Sequence, residues 1–112
     1  MQEKQEVRRD DGELCGFVAT VSTGYQPLTI FSVPFGSIGS LEACVEFVRE
    51  NGLLAIRDRW LAKVDGQWQE VLIQEASTAS VRVTTDIFGG GGKFGESHTF
   101  EAGTNQLKQN MA

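Results

Sequence analysis

The stretch LLAIRDRWLAKVDGQWQEVLIQE, residues 53–75, decides how this chain folds. On either side of Asp65-Gly66 its apolar residues alternate with polar ones, the period of a half-buried strand. Asp-Gly between two such runs is a strong signal for a two-residue type I′ turn. Leu53 to Val64 and Gln67 to Glu75 are therefore expected as the two strands of one hairpin. The turn sets the register, because a slip of one residue would send every side chain to the other face. Val64 then lies opposite Gln67, Leu61 opposite Glu70, Trp60 opposite Val71 and Asp58 opposite Ile73.

That register sorts the hairpin into two faces. Ile56, Trp60, Ala62, Val64, Val71 and Ile73 collect on one, the side expected beneath a helix. Asp58 falls among them. A buried carboxylate without a partner is costly. Asp58 must be ion-paired, sit at a pocket rim, or be moved aside by a bulge. Arg82 and Arg49 are the candidate ion partners, and an ion pair is the simpler reading. The alternative is an acidic cavity with Glu75 on the same face, suited to a polar or cationic small molecule. The opposite face carries Arg57, Arg59, Leu61, Lys63, Trp68, Glu70, Leu72 and Gln74. It is too apolar for a plain solvated surface and too charged for a core. Contiguous apolar patches mark partner surfaces, and Trp and Arg are enriched at interface hot spots. Arg57, Arg59, Leu61, Trp68 and Leu72 are the interface candidates, most simply for a homodimer. Cover by the N-terminal arm or by a curled sheet is the competing explanation.

Upstream, Leu14 to Val21 reads as a strand, residues 22–27 as a Gly- and Pro-containing turn, and Leu28 to Val33 as a second strand ended by Pro34. Ser40 is a good N-cap. Leu41, Cys44, Val45 and Val48 follow at the spacing of an amphipathic helix, with Phe47 widening the stripe. Asn51-Gly52 is expected to end that helix in a left-handed turn. Downstream come strands over Ala79 to Phe88 and Ser97 to Ala102. The expected fold is α+β: a mostly antiparallel sheet, ββαββββ along the chain, with one amphipathic helix packed on a face. Residues 1–11 read as a flexible arm, 12–102 as the single domain and 103–112 as a frayed tail.

Gly89-Gly90-Gly91-Gly92 precedes Lys93-Phe94. A P-loop needs Ser or Thr after its lysine and a helix beyond, and neither follows here. A loose hairpin loop is the plainer reading. The functional one is a flap carrying Lys93 and Phe94 over a pocket near Asp58 and His98. His98 is the only histidine, and Ser97 points to the opposite face of a strand, so no nucleophile–base pair is visible. No metal-ligand spacing occurs and no cofactor is implied. The net charge of −5 over 112 residues works against nucleic acid, although Arg57, Arg59, Lys63 and Arg82 lie beside Trp68. The N-terminus lacks a secretory h-region and no apolar run is long enough to span a bilayer, so a cytoplasmic protein is expected, without a membrane partner. Cys15 and Cys44 read as free, packed thiols. The functional expectation is a non-enzymatic interaction protein. A small-molecule-binding domain comes second, and an acid/base enzyme at the same residues third.

Overall fold

A computed structural model describes residues 3–85 and 97–110. The fold is α+β, with mostly antiparallel sheets and one helix. Among the described residues the strands are β1 (Lys4–Arg8), β2 (Leu14–Val21), β3 (Gly24–Leu28), β4 (Arg59–Val64), β5 (Gln67–Ala76), β6 (Ser80–Thr84), β7 (Ser97–Glu101) and β8 (Leu107–Gln109), and the helix α1 spans Leu41–Asn51. They form two sheets rather than one: β1-β2-β3, and β7-β6-β5-β4-β8.

The hairpin has the expected turn and register. Asp65 and Gly66 both take positive φ, 53° and 79°, as a type I′ turn requires. Trp60 faces Val71, Leu61 faces Glu70 and Val64 faces Gln67. Trp60, Ala62, Val64 and Val71 are buried. The first strand is shorter than its alternation suggests. Leu54–Arg57 forms a 3-10 turn that buries Ala55, and the Trp60 Nε1 donates to the Ala55 carbonyl at 2.8 Å. A buried indole needs such an acceptor, and this one holds the turn against the start of β4. In β5 the pairing shifts between Ile73 and Glu75, a bulge that inserts Gln74 and re-aims everything after it.

α1 begins at Ser40, whose hydroxyl accepts from the Ala43 N–H, and buries Cys44 and Val48. It packs on β1, β2 and β3, not on the hairpin as expected. The buried face of the hairpin is covered instead by residues 29–35, with Phe31 edge-on to Trp60 at 5.6 Å between centroids. Phe31, Val33, Phe35, Val48, Trp60, Val71, Val81 and Val83 thus belong to one core shared by both sheets.

The end of the helix departs from expectation. Gly52 is right-handed, with φ −58° and ψ −45°. Glycine stands there for lack of a side chain: a Cβ would lie 2.1 Å from the Cys15 carbonyl oxygen. The second strand is also displaced. Strand pairing runs from Gly24 to Leu28. Residues 29–33 then reverse tightly: the Thr29 N–H donates to the Val33 carbonyl at 3.0 Å, and the Val33 N–H to Thr29 Oγ1 at 3.2 Å. The reversal carries Phe31 and Val33 into the core without strand pairing.

Both expected loose ends are partly built in. Within the residues read as an arm, Lys4–Arg8 forms β1 and pairs with β2, burying Val7. Its connecting turn is tied by Arg9 to Asp11 and Glu13. The Glu13 N–H, then Arg9, hold the Asp11 carboxyl below its ordinary value. Within the expected tail, β8 adds to β4, matching Leu107 with Ala62 and Lys108 with Leu61. Leu107 is 3% exposed, and the Gln109 Oε1 accepts the Gly36 N–H at 2.9 Å. Each segment has a single deeply buried apolar residue, so neither carries a readable periodicity.

Candidate functional site

β5 is the middle strand of the five-stranded sheet, and its outward residues anchor the outer face. Register places Arg59, Leu61 and Lys63 of β4 beside Leu72, Glu70 and Trp68 of β5. Beyond them lie Thr84 and Arg82 of β6, then Ser97 and Thr99 of β7. On the other side β8 brings Lys108 beside Leu61. Four of the five interface candidates, Arg59, Leu61, Trp68 and Leu72, are therefore placed by one turn and one register. Leu61 and Leu72 are half-buried, while Trp68 keeps 39% of its surface.

Polar groups border this apolar centre. The Arg59 guanidinium meets Glu70 at 3.0 Å, an exposed pair worth little to stability. The Lys108 ammonium sits 4.2 Å from the Trp68 ring centroid, close enough for a cation–π contact. Lys108 escaped the sequence reading because it lies in the expected tail. Arg57, also an interface candidate, belongs to the 3-10 turn and not to β4.

The residues proposed for a pocket are separated. Asp58 ends the 3-10 turn in an extended conformation and is exposed, because the period-two alternation starts only at Arg59. None of the ion pairs found among the described residues joins it to Arg49 or Arg82. The Gln74 bulge turns Glu75 to the outer face, opposite Arg82. His98 is half-buried on the inner side of β7, opposite Val83. Asp58 immediately precedes β4, and β5 and β6 lie between β4 and the strand of His98, so three interstrand spacings, about 14 Å, part them. Asp58, Glu75 and His98 do not converge on one cavity. Lys93, Phe94 and the Gly89–Gly92 loop lie outside the described residues.

No group of three His, Cys, Asp or Glu side chains is placed to hold a metal among the described residues. Cys15 and Cys44 are both free and buried, and burial pushes the Cys15 thiol up. Among the described residues no helix is long and apolar enough to cross a membrane. Comparison with protein-family models, curated proteins and solved structures finds no match to this chain.

Proposed function

We propose that this chain is a non-enzymatic interaction protein that pairs with a second copy of itself through the outer face of the five-stranded sheet. The observation that carries this reading is Trp68, 39% exposed at the hairpin end of that face, which it shares with Leu61 and Leu72. Charge placement favours a like partner. Lys108, Arg59 and Lys63 give the β8–β4 side a positive excess over Glu70. Glu75, beyond the bulge in β5, and Glu101 of β7 outweigh Arg82 at the opposite end of the sheet. A two-fold axis lying diagonally across the face sets the positive corner of each copy over the negative corner of the other. The two free buried thiols suit a reducing, cytoplasmic setting.

Sedimentation of the wild type and of Trp68→Glu over a range of concentrations tests the proposal. A dimer that forms with rising concentration and disappears in the variant is expected. Monomers throughout in both proteins would refute it.

A further inference from the structure

We infer that the groove between the free edge of β1 and helix α1 binds an extended, arginine- or lysine-rich peptide segment. β1 is an edge strand, hydrogen-bonded only to β2. The Thr20 N–H donates to the Glu3 carbonyl at 3.0 Å, which makes Glu3 and Thr20 a hydrogen-bonded pair. In an antiparallel ladder the bonding alternates, so Lys4 and Glu6 turn their backbone N–H and C=O groups away from β2. Those groups are the template that strand addition uses.

The floor of the groove is apolar and its wall is acidic. Gln5 of β1 and Leu41 and Val45 of α1 line it together with Glu42, Glu46, Glu50 and a single basic residue, Arg49. Leu41 and Val45 are only half-buried, so this part of the helix stripe is left without a full covering. Glu42, Glu46 and Glu50 stand four residues apart on one face, where like charges destabilise a helix. None of the ion pairs among the described residues involves them. Three glutamates against one arginine leave the groove net negative, which fits a basic partner from outside.

The spacing selects an extended occupant. Four helical residues rise about 6.0 Å, and two strand residues about 6.7 Å. Alternate side chains of an extended peptide laid along the helix therefore keep step with the three glutamates. Arginine and lysine suit those positions because their stems can lie across Leu41 and Val45 while their charged ends reach the carboxylates. The other positions face away and need only tolerate a strand. This surface is separate from the Trp68 face and does not depend on it.

The test is fluorescence anisotropy of labelled acetyl-Thr-Arg-Thr-Arg-Thr-Arg-Thr-amide against the full chain at low ionic strength. Saturable binding is expected, weakened at least tenfold by Glu46→Lys and unchanged by Trp68→Glu. Removing a like-charge repulsion does not threaten the helix, so Glu46→Lys should remain folded. The same peptide N-methylated at alternate residues should lose binding, and the Lys4 and Glu6 amides should gain exchange protection with the unmodified one. No binding at low salt, or equal binding to Glu46→Lys, overturns the inference. Equal binding of the N-methylated peptide overturns strand addition and with it the proposed pose.

Discussion

Replacing Gly52 with alanine separates two physical reasons for a glycine, and they predict opposite signs. Gly52 has right-handed helical dihedrals, φ −58° and ψ −45°, which alanine adopts without strain. If conformation were all that mattered, Gly52→Ala would stabilise the protein by about 0.4–1 kcal/mol, through a less flexible unfolded chain. The close approach argues the reverse. The added Cβ would fall 2.1 Å from the Cys15 carbonyl oxygen and 2.7 Å from that of Val48. Both neighbours are backbone, so no side chain can swing aside, and α1 must move away from β2. Forced overpacking costs about 1–3 kcal/mol, and the shift disturbs the buried Cys15 and Val48 as well. Set against the propensity gain, a net loss of about 1.3 kcal/mol is expected. For a domain of this size that lowers Tm by roughly 5 °C, at about 4 °C per kcal/mol. Thermal and urea unfolding followed by circular dichroism would read it. A Tm at or above that of the wild type would refute the packing argument at this crossing.

Leu107→Ala should cost about 2–3 kcal/mol, the lower part of the range for a buried leucine, because Leu107 is 3% exposed on a short edge strand; a urea midpoint unchanged from the wild type would mean that β8 is not part of the fold. Asp65→Val should destabilise by about 1–2 kcal/mol, since the residue holds φ 53° and a β-branched side chain resists that region; equilibrium urea unfolding would measure the loss. Asp11 carries a pH dependence. Its carboxyl is held below the ordinary value by the Glu13 N–H and Arg9, so its contribution is present above the unfolded aspartate pKa of about 3.9 and is lost as pH falls through the lower folded value. Asp11→Asn should therefore be less stable than the wild type at pH 7, and the gap in urea midpoints should shrink in acid; a gap that widens in acid would refute the sign.

What the chain disclosed in advance depended on how much buried surface each segment carries. The hairpin register was legible because Asp65-Gly66 pins the turn and Trp60, Ala62, Val64 and Val71 repeat with one period. The Gln74 bulge was not, since Gln74 and Glu75 are both polar and either could face outward. Asp11-Gly12 is the same dipeptide as the hairpin turn, and Gly12 likewise has positive φ, 88°. It was passed over because Lys4–Arg8 holds only one apolar residue. Leu53 to Ile56 showed the usual ambiguity of a short apolar run, which Trp60 resolves through its bond to Ala55. Trp68, Leu61 and Leu72 share a face, as the turn alone dictates. Asp58, Glu75 and His98 do not meet, because Asp58 ends a 3-10 turn, Glu75 follows a bulge, and β5 and β6 separate β4 from the strand of His98.

The dimensions of the outer face set the strength of any pairing through it. Five strands at about 4.8 Å spacing, averaging about six residues, make a patch roughly 20 Å by 18 Å. Face-to-face contact then covers on the order of 400 Å² of each copy, short of the approximately 800 Å² per partner in a standard stable interface. The apolar centre is also small, with Trp68 already stacked under Lys108 and Glu70 already tied to Arg59. Such a face is stable in water as a monomer, and pairing must displace Lys108 from the indole or carry it into the contact. Self-association should therefore be weak and salt-sensitive, with the positive and negative corners setting its orientation. Lys108→Glu reverses the charge of the positive corner that would face Glu101 of the second copy and removes the cation from Trp68. It should abolish pairing while leaving the monomer folded. Dimerisation undiminished in that variant, or undiminished at high salt, would mean that the corners do not orient the contact.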